Sequence, residues 1–197
     1  MRKLVLPVAA CAVVLAVKFA RAQEIDVAVG GSTLFSAKST SASQAYPPPP
    51  ERGGTYPTAS AQVVFKNHLG FNVETAFRYK QGLYNGYQRY RPVLSDVNGV
   101  FAPRVGDKSI ADFMAGFGAE TLIFYNHFAN CNFAACPILI SGNHFLLHAG
   151  GGWRYYLLGR LFVRPEAHYY YVFDNTEFHS GHVLRLGASL GYTFGRK

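Results

Sequence analysis

Apolar and polar residues alternate along most of this chain, most strictly between His144 and Phe194. In His144–Leu157, the residues Phe145, Leu147, Ala149, Gly151, Trp153, Tyr155 and Leu157 fall on one face, and His144, His148, Gly150, Gly152, Arg154 and Tyr156 on the other. Leu161–Phe173 sets Leu161, Val163, Pro165, Ala167, Tyr169, Tyr171 and Phe173 against Arg164, Glu166 and His168. His182–Phe194 sets Leu184, Leu186, Ala188, Leu190, Tyr192 and Phe194 against Arg185, Gly187, Ser189 and Gly191. Successive side chains of a strand point to opposite sides, so a period of two sustained this long predicts strands with one apolar face.

The same pattern predicts five earlier strands, at Glu24–Phe35, Ala59–Lys66, Phe71–Lys80, Tyr90–Val105 and Ile110–Tyr125. Pro92 and Pro103 are expected to limit the fourth, because proline cannot donate to a ladder. Long connections (36–58, with Pro47–Pro50; 81–89, with Tyr84-Asn85-Gly86-Tyr87; 126–143) and a last, moderate one (174–181) alternate with short ones (67–70, 106–109, 158–160). Eight strands return both ends to one side, and all but Ala59–Lys66, at eight residues, reach the ~9–11 residues that cross a bilayer at a tilt. The expected fold is all-β, an eight-stranded antiparallel up-and-down transmembrane barrel with short periplasmic turns and longer outer loops.

A soluble barrel also alternates, so volume decides which face is inside. The apolar face carries Phe71, Phe77, Phe113, Phe117, Trp153, Tyr169, Tyr171 and Tyr192 among its rings. An eight-stranded barrel has an interior only just wide enough for side chains to fill, and cannot hold so many rings. The opposite face has glycines at 116, 118, 150, 152, 187 and 191, which leave room for long charged chains. The rings therefore point outward into lipid. Trp153, Tyr155, Tyr169, Tyr171, Tyr192 and Phe194 are expected to form the aromatic girdle at the membrane interfaces.

Charged residues then fill the lumen. Acids at Glu24, Asp26, Glu74, Asp96, Asp112, Glu120 and Glu166 nearly balance bases at Lys66, Arg78, Lys80, Arg154, Arg164 and Arg185. Unpaired charges there would be costly, so cross-strand ion pairs and a largely plugged interior are expected, with His168 part of the network. A ring of one sign would instead have marked a selective pore.

The N-terminus reads as a secretory signal. Arg2 and Lys3 precede the apolar run Leu4–Val17, and Ala20-Arg21-Ala22 is an A-x-A site with cleavage expected between Ala22 and Gln23. The chain thus divides into a signal peptide, 1–22, and a barrel, 23–197. Cleavage removes Arg2, Lys3, Lys18 and Arg21, so the formal charge of +8 drops to +4 and the basic character that might suggest nucleic acid is halved. Cys131 and Cys136 would meet an oxidising compartment, where a small disulfide-closed loop is expected.

With Gly-Gly-Gly-Trp-Arg-Tyr-Tyr at 150–156, Val163-Arg164-Pro165-Glu166-Ala167-His168 and the ending Gly191-Tyr192-Thr193-Phe194, residues 23–194 resemble the outer-membrane β-barrel domain family of the OmpA/OmpX type. The resemblance implies a small integral protein of the cell outer membrane of a Gram-negative-type bacterium. Its surroundings would be outer-membrane lipid and lipopolysaccharide, and the terminal aromatic strand resembles the signal read by the barrel-assembly machinery. A structural or surface-interaction role is expected, with no enzyme activity, cofactor or metal. A narrow channel for small solutes is the alternative.

A lipid A-modifying enzyme fits less well. His179, Ser180, His182 and Glu177 lie near one outer loop, but the His-x-Ser-Asn pattern of the barrel deacylases is missing, and adjacent residues of a strand point apart. His144 and His148 share a face but stand ~13 Å apart along a strand, too far for one metal ion.

Overall fold

The computed structural model describes residues 24–37, 48–65, 68–125 and 139–195. The expected signal peptide with its Ala22–Gln23 cleavage site, Lys66 and the Cys131–Cys136 pair lie outside these residues.

Ten strands form one sheet: β1 (Glu24–Ser36), β2 (Tyr56–Val64), β3 (Leu69–Phe77), β4 (Gly82–Tyr84), β5 (Gln88–Phe101), β6 (Arg104–Gly106), β7 (Ser109–Tyr125), β8 (Leu139–Leu158), β9 (Leu161–Val172) and β10 (His182–Phe194). β4 and β6 are three-residue extensions beside β5 and β7. The eight longer strands each pair antiparallel with their neighbours in the chain, and β1 closes the ring on β10 from Ile25↔Phe194 to Ser36↔Val183. The expected eight-stranded up-and-down barrel is the observed one.

Closure satisfies the ladder without an exposed edge, as hydrocarbon requires. The alternation then sorts the side chains. Phe71, Phe113 and Phe117 are each more than half exposed, whereas Arg154, Arg164 and Arg185 are fully enclosed. Apolar outside and charged inside is the inverse of a soluble barrel.

Two local details differ from expectation. Asn85 and Gly86 both have positive φ, as a type I′ turn demands, and with Tyr87 they connect Tyr84 to Gln88, so the expected loop 81–89 is partly a β4–β5 hairpin. Pro92 lies within β5 instead of limiting it. Its carbonyl accepts from the Arg78 amide, but it has no N–H to return the bond. The ladder therefore breaks there, and the chain bulges over 78–81 before pairing resumes two residues out of step at Gly82↔Tyr90. Pro103 fits its expected place, between β5 and β6.

The lumen is layered. Ala28, Val64, Val100, Ala102, Ile110, Met114, Tyr156 and Phe162 pack at the end near the termini. Leu34, Tyr56, Ala76, Leu94, Leu146, Tyr170, Val172 and Val183 form a second apolar layer toward the long loops. These inward apolar residues were not anticipated from the charged face alone. Above them Tyr90, Leu122 and Phe178 cap the mouth, with Tyr84 and Phe124 against them. β8, at 20 residues, spans ~65 Å at ~3.3 Å per residue, well beyond a bilayer core, so the β7–β8 hairpin projects on the loop side.

Candidate functional site

The polar residues between and beside the apolar layers form two networks. The lower one centres on Arg154 of β8. Its Nε and Nη2 donate to Asp112 Oδ2 and Oδ1 at 2.7 and 2.6 Å, and Nη1 donates to Asp26 Oδ2. Gln62 Nε2 donates to Asp112 Oδ1 at 3.1 Å, and Thr193 Oγ1 donates to Asp26 Oδ1 at 2.5 Å. Tyr156 and Thr193 share a hydroxyl contact of 2.9 Å. This is a fork-shaped, charge-assisted arrangement in which every carboxylate oxygen has a partner. Only Gln62 Oε1 is left without one.

The upper network joins six strands. Arg185 Nη2 donates to Glu74 Oε1, and Arg164 Nε donates to Glu166 Oε2 at 2.8 Å. Arg164 Nη2 also donates to Ser60 Oγ at 3.1 Å, and Ser189 Oγ donates to Glu166 Oε2 at 3.2 Å. Beside them His148 Nε2 and His168 Nδ1 are 2.9 Å apart, with their rings stacked 5.0 Å between centroids. His148 Nδ1 meets Asn98 Oδ1 at 2.5 Å, and Asn98 Nδ2 donates to Asp96 Oδ1 and, at 3.3 Å, to Asn72 Oδ1.

The inward glycines make room for these chains. A Cβ at Gly152 would lie 2.8 Å from Arg164 Cγ, and one at Gly150 would lie 2.8 Å from both His148 Nε2 and His168 Nδ1. Here glycine is needed for space, since neither position has a positive φ.

Of the interior charges expected from the sequence, Asp26, Asp112 and Arg154 meet in the lower network, and Glu74, Asp96, Arg164, Glu166, His168 and Arg185 in the upper. Four lie outside both networks. Glu24 sits at the end near the termini and pairs with Arg104 at 2.6 Å. Arg78 lies in the bulge after β3, so it reaches the outer mouth, where Nη1 donates to Tyr90 Oη at 2.8 Å. Glu120 also lies at the mouth, accepting from Asn175 Nδ2 at 3.4 Å instead of pairing with a base. Lys80, expected inside, is exposed for the same reason as Arg78.

The mouth holds a residue that no pattern pointed to. Glu51, on the β1–β2 connection, is fully buried with both carboxylate oxygens unpartnered, and burial pushes its carboxyl up to about 7. The connection folds over the mouth: Gly53 N donates to Leu34 O at 2.8 Å, and His179 N donates to Pro49 O at 3.2 Å. Tyr84 Oη donates to Glu177 O at 2.7 Å, tying the β4–β5 hairpin to the β9–β10 loop. A loop's descent into the barrel leaves no periodic signal, which is why Glu51 was not legible.

Asn98, Asn72, Ser60, Ser189, Gln62 and Thr193 each fall on the inward register of their strands, so the alternation already places them in the lumen. The histidines also separate by register. His148 joins His168 across β8 and β9, while His144 Nε2 lies 3.2 Å from Glu177 Oε2 near the mouth. His182 Nδ1 contacts Tyr169 Oη at 2.5 Å, and its backbone N–H donates to Ser180 Oγ at 3.1 Å. No Ser–His bond of the kind a hydrolase uses exists among these described residues. Tyr169 and Tyr171 face outward toward the loop end, and Trp153, Tyr155, Tyr192 and Phe194 face outward toward the terminal end.

Neither a protein-family model nor a curated protein sequence matches the chain. Solved structures do. The N-terminal β-barrel domain of Pseudomonas aeruginosa OprF superposes with a TM-score of 0.58 at 10% identity, covering 88% of this chain and 98% of that one. Neisserial surface protein A (NspA) gives 0.58 at 12% identity over 87% of this chain and 96% of its own. Ail, the attachment invasion locus protein of Yersinia pestis, solved with the heparin analogue sucrose octasulfate, gives 0.55 at 12% over 87% and 98%. At such identities the likeness is one of fold, and with the apolar outer belt it makes this chain an eight-stranded β-barrel of the outer-membrane kind.

Proposed function

We propose that this protein is a non-enzymatic integral protein of the outer membrane whose sealed barrel holds its outer loops against the exterior. One observation carries the reading: two apolar layers flank the buried ion pairs of Arg154, Arg164 and Arg185, and the Tyr84–Tyr90–Phe178 cluster with Glu51 covers the mouth. An ion crossing this lumen would have to break paired buried charges, each costly to leave alone. Such a barrel serves as an anchor rather than a conduit.

The outer rim suits lipopolysaccharide as its immediate partner. Arg89 and Arg91 alternate with the inward Tyr90 and Pro92, which places them on the outward face just above the apolar belt. The Arg91 guanidinium lies 6.0 Å from the Tyr125 ring, and Tyr79 beside it is exposed. Guanidinium groups next to interfacial tyrosines match the phosphates of a lipid head group.

Planar-bilayer recordings of the folded protein test the seal, with a gel shift lost on boiling as the check that the barrel is formed. No unitary conductance is expected; steady, ion-selective channels would overturn the reading in favour of a narrow pore. The rim is tested by co-purification of lipopolysaccharide, which an Arg89→Gln/Arg91→Gln variant should reduce.

A further inference from the structure

The upper network contains a set of donor atoms that its own hydrogen bonds do not use. Glu166 Oε1 and His168 Nε2 are buried, have no hydrogen-bond partner, and lie 3.8 Å apart. With Glu74 they bring three ligand atoms within 4.8 Å of one another. Both carboxylates spend another oxygen on a guanidinium: Glu74 Oε1 on Arg185, Glu166 Oε2 on Arg164. Arg164 Nη2 approaches Glu74 Oε2 only to 3.9 Å. Each acid thus keeps one oxygen to offer.

The hydrogen-bond chain fixes what His168 presents to them. Asp96 accepts from the Asn98 amide nitrogen, so Asn98 turns its oxygen toward His148. An amide oxygen only accepts, and His148 Nδ1 must therefore carry the proton, leaving Nε2 as an acceptor. That acceptor faces His168 Nδ1, which must then be the N–H. His168 Nε2 is thereby left pointing at Glu166 Oε1, and in the neutral ring it presents a bare lone pair to that acceptor with nothing between them. A metal-binding imidazole is oriented in this way, by donating its other N–H to a fixed partner.

One nitrogen and two carboxylate oxygens suit a zinc-like ion, whose bonds of ~2.0–2.2 Å can span a 3.8 Å ligand separation, with a fourth position left for water.

We propose that Glu74, Glu166 and His168 bind a single divalent transition-metal ion, zinc-like in its preferences, in the middle of the lumen, with His148 as the residue that positions His168. The site goes beyond the anchoring role and would stand even if the lumen conducted.

The test folds the full barrel in detergent with Co2+ present, so that entry through a closed lumen is not required, and checks folding by the heat-dependent gel shift. Visible d–d absorption of low-coordinate Co2+ should saturate at one equivalent and be displaced by Zn2+. His168→Gln should abolish the bands, and His148→Gln should weaken binding ~10–100-fold while leaving the band shape. For wild-type protein alone, Zn2+ should raise the urea midpoint of unfolding, a readout that needs no variant to fold. Absence of both the bands and the midpoint shift in folded wild type overturns the site, as does Co2+ binding undiminished in folded His168→Gln. In the first case the gap holds a proton on His168 or a water molecule instead.

Discussion

The two charged networks in the lumen are built from the same residue types yet reach opposite states of completion. Around Arg154, a single guanidinium spends its fork on Asp112 and a third N–H on Asp26, and Thr193 and Gln62 supply the remaining donors. Around Arg164 and Arg185, two guanidiniums serve two glutamates yet leave Glu166 Oε1, His168 Nε2, and Arg185 Nε and Nη1 without partners. A saturated network can only hold strands together, whereas an unsaturated one in a buried position has capacity for something else. The difference separates a structural clamp from a candidate ligand site within a single lumen.

The largest effect should come from breaking the saturated clamp. Arg154→Met leaves Asp26 and Asp112 charged and unpaired, and is expected to cost ~3–5 kcal/mol, measured as a lower urea midpoint for the gel-shifted form. Converting Asp26, Asp112 and Arg154 together to apolar residues of similar volume should recover most of that loss. Failure to recover would mean that the clamp also specifies strand register.

Arg185→Met should cost less, ~2 kcal/mol in the same titration, because Glu74 still has Arg164 within 3.9 Å. An equal or larger loss than for Arg154→Met would erase the distinction between the networks. Gly150→Val should cost ~1–3 kcal/mol by displacing the paired imidazoles, whereas Gly31→Val, with nothing within 4 Å of its added Cβ, should be near neutral. In the lower network Tyr156→Phe removes the hydroxyl that meets Thr193, for which ~1 kcal/mol is expected.

The smallest change in global stability, though a visible local one, concerns the mouth. The Glu51 carboxyl titrates at about 7 when folded against an ordinary 4.5. Between those values the folded state holds the extra proton, so stability falls as pH rises from about 4.5 to about 7 and is level above. Tryptic cleavage after Arg52 should accelerate across that window, and Glu51→Gln should weaken the dependence, leaving only what the buried Glu120 contributes. A rate independent of pH in wild type would mean that Glu51 does not hold the connection over the mouth.

Legibility followed the range of the physics. Phe71 facing lipid and Glu74 facing the lumen were readable three residues apart, because the pleat sends neighbours to opposite sides whatever the rest of the chain does. Gly150 and Gly152 were readable as space for long side chains, but not as space for His148 with His168 and for Arg164 in particular. Arg78 was misplaced because a bulge opposite Pro92 takes it out of the alternation that the sequence implies. Glu51 was absent from any reading because a loop residue enters the barrel by the course of its loop, which has no period.

By itself, then, the sequence determined the wall: strand number, antiparallel order, which face meets lipid and that the interior must carry paired charge, all consequences of local alternation and of the volume of eight strands. Only the tertiary structure decided which charges meet. Asp26 and Arg154 are 128 residues apart, and Glu74 and Arg185 are 111 apart. Their distances follow from strand stagger and barrel closure, long-range quantities that no short stretch of sequence encodes. The same stagger paired every charged group of one network and left the other with a nitrogen and two carboxylate oxygens to spare.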